Sequence, residues 1–426
     1  MSTGIDRAGR YIAELLQTRD AEVLAERLKP HPPQDLRRFP SGTQVDETIL
    51  EARWKALSAA AGEAQGALLD PQTLARAERY RHNIENFVGT VKLPVGIAGP
   101  LRVNGLFANG EFFVPLATTE AALVASYSRG ALLISLAGGC TATVLDESVG
   151  RAPGFAFKSL ADAGQFVAWL VTQTEMLREV AESTTRHGKL KDMRISIEGN
   201  HVYVMFEYMT GEASGQNMVT IATDAVCRHV VEASPVKPLY YYVEANFSGD
   251  KKASAQSFQL VRGKKVTAEA FFPARLIEKV LHATPRQMVD YWRMSAIGGV
   301  LSGTMGVQGH YANGIAALYI ACGQDAACVS ESAVGVTRME LTESGDLYTA
   351  VTLPNLMVGT VGGGTGLPSQ RACLEILGLS GPDSARALAE ICAALCMAGE
   401  LSIIGALCAG HFTRAHQSLA RGAERR

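Results

Sequence analysis

Apolar residues recur at helical spacing through the first part of the chain. GRYIAELLQ, DAEVLAERL, VDETILEARWKALSAAAGEAQ and PQTLARAERYRHNIENF each carry the pattern, and the prolines of KPHPPQDLRRFP interrupt it. Residues 1–85 are therefore predicted to be a helical N-terminal region. From Glu85 the texture changes. IENFVGTVKLPVGIAGPLRVNG, rich in Gly, Pro and Val, predicts loops and short strands. EFFVPLATTEAALVASYSRGALLISLAGG predicts strand, turn and helix, with Thr118 or Thr119 as the cap and Glu120 in the first turn. Residues 153–242 have their own rhythm. FAFK reads as a strand, LADAGQFVAWLVTQTEMLREVAEST as a helix, and KDMRISIEGNHVYVMFEYM as a hairpin turning at Gly199-Asn200; QNMVTIATDAVCRHVVEAS is a second helix and LYYYVEA a last strand. The order βαββαβ is that of the split βαβ, ferredoxin-like unit. Beyond it, ASAQSFQLVRGKKVTAEAFFP predicts two strands and a turn, and the stretch from Ser384 predicts helix. The fold class predicted is α+β: a large helix/sheet domain (86–152 plus 243–426), an inserted ferredoxin-like domain (153–242) and the helical region 1–85.

Composition narrows the class. The 426 residues exceed one ordinary domain, and 47% hydrophobic with 19% charged content fits a globular protein with a large core. A formal net charge of −2 gives no global basic field for nucleic acid. The longest apolar run, ICAALCMAGELSIIGALCAG, is interrupted by Glu400, a costly residue in lipid, so it predicts a buried core helix and no membrane partner. MSTGIDRAGRYIAELL lacks the apolar core of a secretory signal, so a soluble, cytoplasmic protein is expected. None of the eight cysteines forms a C-x-x-C pair; they read as buried thiols, and no metal site is expected.

Three stretches set an ionisable group in an apolar or glycine-rich context: ATTEAALVAS with Glu120, SGDKKAS with Lys251, and ACGQDAA with Asp325. Such carboxylates are either paired structurally or tuned for proton transfer, and a lysine in a small-residue loop can polarise an oxygen or simply decorate a turn. GEASGQNMVTIATDAV and VGTVGGGTGLPSQ each lead from glycines into a helix, which suits a phosphate or a tight turn. Neither fits the G-x-G-x-x-G or P-loop patterns.

Taken in order, VPLATTE, DKK, CGQDAA, VGTVGGGT and MAGELS resemble the 3-hydroxy-3-methylglutaryl-coenzyme A (HMG-CoA) reductase family, in wording closer to its class I. The resemblance runs from IENFVGTVKLPVGIAGPL to GHFTRAH. It implies Glu120, Lys251, Asp325 and His416 as catalytic residues. His416 is the second histidine of G-H-x-x-x-x-H; His411, five residues earlier, lies about 140° away on a helix and does not share its site easily. The resemblance also implies substrate contacts at Ser126, Arg129, Arg151, Asp250, Lys252 and Asn313, and at Arg293, where the family commonly has lysine. Cofactor contacts are implied at Glu212, Ser214, Gly215, Gln216, Asn217 and Met218, which stand on the family's D-A-M-G-M-N-M motif, and at Val361, Gly362 and Gly363. Arg186 and Arg421 match arginines near the family's 2′-phosphate site, which favours NADPH over NADH. Glu244 replaces the usual serine upstream of DKK, Ala121 replaces the glycine after the ATTE glutamate, and Gly422 stands where some members carry a phosphorylatable serine. The implied reaction is reduction of HMG-CoA to mevalonate and free coenzyme A. NAD-linked oxidative acylation of mevalonate, or a non-catalytic acyl-CoA sensor, are the alternatives. The family's sites form between subunits, so a homodimer or larger homo-oligomer is implied, with ENFVG and VGTVGGGT as contact segments.

Overall fold

A computed structural model describes residues 4–17, 20–30, 38–57 and 61–410. The chain divides into two compact units, Met1–Thr90 and Val91–Arg426. The first is helical, with helices Ile5–Gln17, Ala21–Arg27, Glu47–Ala56, Ala61–Leu68 and Pro71–Ala75. Asp46 and Asp70 cap two of them. Its small core gathers Val45, Leu50, Ala77 and Phe87 around a fully buried Arg53. That guanidinium donates to the carbonyls of Pro40, Gln44, Gly42 and Phe87 at 2.8–3.0 Å, which satisfies a buried charge with main-chain dipoles.

Among its described residues the second unit has ten strands: β1 Val95–Gly105, β2 Asn109–Ala117, β3 Cys140–Arg151, β4 Gly154–Ala156, β5 Lys189–Glu198, β6 His201–Met209, β7 Tyr240–Tyr242, β8 Gly263–Phe272, β9 Val336–Leu341 and β10 Leu347–Leu356. They join in the order β7-β4-β6-β3-β8-β10-β9, with β5 on β6, β1 on β3 and β2 on β1. Within this, β4, β5, β6 and β7 are antiparallel in the order β7-β4-β6-β5, the arrangement of a split βαβ unit. The β5–β6 hairpin turns at Gly199-Asn200, as its alternation predicts. Helices Leu160–Leu170 and Thr174–Ser183, joined by a 3-10 turn, replace the single helix expected there. The long strand β3 ties the two halves of the sheet. Its first part pairs with β8 and its last three residues with β6.

Helix Ser384–Cys408 runs through the centre of the unit, packed on helix Leu123–Leu136, helix Tyr311–Ala321 and strands β3, β8 and β10. It is long and apolar enough to cross a membrane, yet it is mostly buried inside the protein. Its two acids are buried and occupied. Glu390 accepts from the amides of Phe107 and Ala108 at 2.9 and 2.7 Å. Glu400 accepts from the amides of Gly309 and His310 at 2.9 Å and from the Thr337 hydroxyl at 3.0 Å. Such charge-assisted bonds let a carboxylate sit in an apolar helix. The expectation of two strands around 253–273 is corrected: a short helix, Gln256–Gln259, precedes the single strand β8. All eight cysteines are free thiols, and all but Cys408 are buried.

Candidate functional site

Glu120 sits just before helix Leu123–Leu136 and not in its first turn as expected. Ala122 holds a left-handed φ of 69°, which stops the helix from extending back toward Glu120. Thr118 caps nothing; its hydroxyl accepts from the Glu120 amide at 3.0 Å and fixes the turn. The Glu120 carboxylate is exposed and receives the Asn313 side-chain amide at 3.3 and 3.5 Å. Both residues line a cavity of roughly 540 Å³, together with Ser126, Arg129, His310 and Glu400. Ser126 shares a hydrogen bond of 2.9 Å with Ser402, and Arg129 donates to the Ser402 carbonyl at 2.9 Å and hydroxyl at 2.8 Å. Burial lowers the Arg129 guanidinium from its ordinary range. Tyr127 stacks on the His310 ring at 5.5 Å, and burial keeps its phenol protonated well above the usual range.

Lys251 belongs to a second cluster. It holds a left-handed φ of 58°, and its ammonium meets the Asp325 carboxylate at 2.9 Å. The hydrogen bond that Lys251 donates to Asp325 raises the ammonium above the ordinary lysine range, against a smaller effect of desolvation. Partial burial pushes the Asp325 carboxyl up, but hydrogen bonds from Lys251 and from the Ala327 amide outweigh it and hold the group below the usual carboxylate range. The two shifts agree: the pair is ionised. Asp250, next in the chain, binds Arg151 at 3.3 Å and Arg262. Glu244 also binds Arg151, at 3.4 Å, and accepts from the Ala152 amide at 3.2 Å. Lys252 folds its ammonium onto the Asp250 carbonyl at 2.8 Å.

The glycine-rich segments converge beside this second cluster. Gly215, at φ 78°, precedes helix Gln216–Ala233, and no side chain caps the helix start. Ala213 bridges to Val361, and the Glu212 carbonyl accepts from the Thr360 amide at 2.8 Å. A side chain at Gly359 would place its Cβ 2.4 Å from the Ser214 amide nitrogen, so only glycine allows the two loops to approach. Gln324 clamps the Gly359 peptide from both sides, at 2.8 and 2.9 Å. Asn217, Val361, Gly362 and Gly363 remain exposed, as does Arg186. The Thr185 hydroxyl reaches the Met218 sulfur at 2.9 Å, bringing the Arg186 turn to the helix start. Gln216 faces inward, to the Cys328 sulfur at 2.9 Å and to Arg262. The Glu212 carboxylate points away from the exposed loop. It caps helix Ser384–Cys408, accepting from the Asp383 and Ala385 amides at 2.7 Å each and from the Ser384 hydroxyl at 3.1 Å.

The expected residues thus fall into two groups. Glu120, Ser126, Arg129 and Asn313 share the cavity at the N-terminal end of helix Tyr311–Ala321, while Asp325 follows its C-terminal end and holds Lys251. The stretch of helix from Asn313 to Ala321 is about 12 Å long. Arg293 joins neither group; its exposed guanidinium pairs with Asp290 at 3.6 Å. His416 and Arg421 lie outside the described residues. Arg262, His310 and Gln324 were not singled out by the sequence. Arg262 and His310 have partners distant in the chain, as at Gly150 and Glu400, while Gln324 stands in the ACGQDAA stretch but finds the Gly359 peptide 35 residues on.

The sequence profile of the family described as hydroxymethylglutaryl-coenzyme A reductase matches residues 49–421. The 3-hydroxy-3-methylglutaryl-coenzyme A reductase of Pyrococcus horikoshii is 44% identical over 352 residues, covering 81% of this chain and 85% of that protein. That of Haloferax volcanii is 41% identical over 409 residues, covering 94% and 100%. Among solved structures, the class II 3-hydroxy-3-methylglutaryl-CoA reductase from Streptococcus pneumoniae bound to NADPH in open conformations superposes with a TM-score of 0.64 at 25% identity, over 84% of this chain and 96% of that one.

Proposed function

The chain belongs to the hydroxymethylglutaryl-coenzyme A reductase family, and on that premise we propose that it reduces HMG-CoA with two NADPH to mevalonate and free coenzyme A. The observation that carries this reading is the ionised Lys251–Asp325 pair at 2.9 Å, a fixed cation on a partly open surface beside the glycine-rich loops. Hydride delivered to a thioester carbon leaves negative charge on oxygen, and the Lys251 ammonium stabilises it. The resulting thiohemiacetal collapses, expelling the coenzyme A thiolate, which His416 protonates. The second reduction, of the aldehyde, leaves an alkoxide that takes its proton from Glu120. Asp325 orients the ammonium, and Asn313 orients the Glu120 carboxyl. Arg151 and Lys252 supply positive charge for the substrate's free carboxylate.

The bound nicotinamide would supply hydride. Residues 213–218 and 361–363 fit such a group: an uncapped start to an 18-residue helix offers free amides to a pyrophosphate, beside exposed glycines. Arg186 lies on the turn that Met218 holds against this helix start, where it suits a 2′-phosphate. NADPH is therefore preferred to NADH. The class II relative's bound NADPH supports the same reading.

The proposed assembly is a homodimer. One thioester reaching Glu120 and Lys251 at hydrogen-bond distance needs the two groups of residues face to face, whereas helix Tyr311–Ala321 separates them within a chain. A second copy brings its Lys251 group to the first copy's cavity. Exposed Met294, Ile297, Val300 and Leu301 on helix Pro285–Ser302 offer apolar surface for that contact. The proposed setting is the cytoplasm. Following absorbance at 340 nm with HMG-CoA and each nicotinamide tests the activity. NADPH oxidation dependent on HMG-CoA, faster than with NADH, is expected; no turnover with either would refute it.

A further inference from the structure

We infer that Arg262 is a positioning residue of the reductase site, fixing the loop that presents Lys251 to Asp325; the inference rests on the reading of Lys251 as the polarising cation. Lys251 sits in the left-handed region, which a lysine has no intrinsic reason to adopt. Its neighbours must hold it there. The strongest hold on the loop is through Asp250, whose carboxylate lies between two guanidiniums, Arg151 and Arg262.

Arg262 does more than pair with Asp250. Its side chain is only 5% exposed. Its guanidinium also donates to the Gly150 carbonyl at 3.0 Å, to the Gln216 side-chain oxygen at 3.3 Å and to Glu331 at 3.4 Å. These acceptors come from four segments: the DKK loop, the end of β3 just before Arg151, the first residue of the helix behind the GEASG loop, and the helical turn after Asp325. Each segment carries a residue assigned above to substrate, cofactor or catalysis, and they meet at one planar group. The Arg262 amide is itself fixed, donating to Asn355 at 2.8 Å, and Asn355 is held by the Ser257 carbonyl at 2.6 Å.

The chemistry of the cluster calls for a guanidinium. Ligand atoms of Asp250, Cys328 and Glu331 lie within 4.8 Å of one another, the kind of group that can hold a metal ion. Arg262 already binds both carboxylates and supplies the positive charge. Burial pushes Glu331 up from the usual carboxylate range, against the pull of Arg262. A lysine would bring the charge but not the planar fork that serves four acceptors in different directions. Loss of the fork frees the DKK loop from the Asp325 turn and misplaces the Lys251 ammonium.

The test compares Arg262→Lys and Arg262→Ala with the wild type, which must turn over HMG-CoA as the reference. Failure of the wild type refutes the proposed function, not this inference. Arg262→Lys is expected to lose about 10–100-fold in kcat, with KM for HMG-CoA and NADPH within about threefold of wild type and little change in Tm. Arg262→Ala is expected to lose at least as much, and guanidinium chloride at tens of millimolar to restore about tenfold of its kcat. Sodium chloride at the same ionic strength should restore none, and Lys251→Ala should not respond to guanidinium. Wild-type kcat in Arg262→Lys overturns the inference, as does a folded Arg262→Ala that guanidinium does not rescue. Should Arg262→Ala fail to fold, kcat of Arg262→Lys decides alone.

Discussion

At the residue scale, Lys251 and Asp325 are set for opposite ends of the pH range. Asp325 is held below the usual carboxylate range, so what the pair contributes is present at neutral pH and lost only as acid titrates through that lowered value. Lys251 is held above its usual range, so its contribution is complete below the ordinary lysine value and lost only as pH rises through the raised one. Between about pH 5 and pH 9 the pair keeps its charges, and any titration of kcat in that window belongs to another group. His416 is the proposed owner. Wild-type kcat should fall as pH rises through about 6–8, and His416→Asn should have a low kcat that no longer depends on pH there. An unchanged pH profile in His416→Asn would remove it from the mechanism. Of these residues, the sequence marked the ionisable groups by their apolar settings, but it could not show which of them meet. The Lys251–Asp325 contact spans 74 positions, and the Arg262 cluster draws on residues from Gly150 to Glu331. Contacts of that range depend on the sheet and leave no local trace.

At the element scale, the βαββαβ order was legible because each element has a clean period and a marked turn, as at Gly199-Asn200. The 253–273 region was misread because QSFQ forms a single helical turn, too short for its period to separate helix from strand. Glu212 shows a different limit. The family motif implies a cofactor contact there, and its carboxylate caps the central helix Ser384–Cys408. It thereby fastens the 212–218 loop to the element that also carries Glu400 to the cavity. Glu212→Ala leaves amides at the start of that helix without an acceptor and should cost about 1–2 kcal/mol of stability. The loop loses its tether, so KM for NADPH should rise while KM for HMG-CoA changes little. Urea denaturation with steady-state kinetics checks both. A stability loss with no change in the NADPH KM would make Glu212 a helix cap alone.

At the scale of the whole molecule, the central claim is that a complete site needs two chains. The sequence alone implied a shared site only through family resemblance. The proposal is supported by the placement of the residues within one chain: helix Tyr311–Ala321 has the Glu120–Asn313 cavity at one end and the Lys251–Asp325 pair beyond the other. In a symmetric dimer each site then takes Glu120 from one subunit and Lys251 from its partner. Mixing two inactive variants, Glu120→Gln and Lys251→Ala, under conditions that exchange subunits tests this most directly. In the mixed dimer, one site combines the intact Glu120 of one chain with the intact Lys251 of the other. With random pairing, half the dimers carry one working site of two, so activity should return to about a quarter of wild type. Mixed dimers that form, as followed by differently tagged chains, but show no activity above either variant alone would contradict the account.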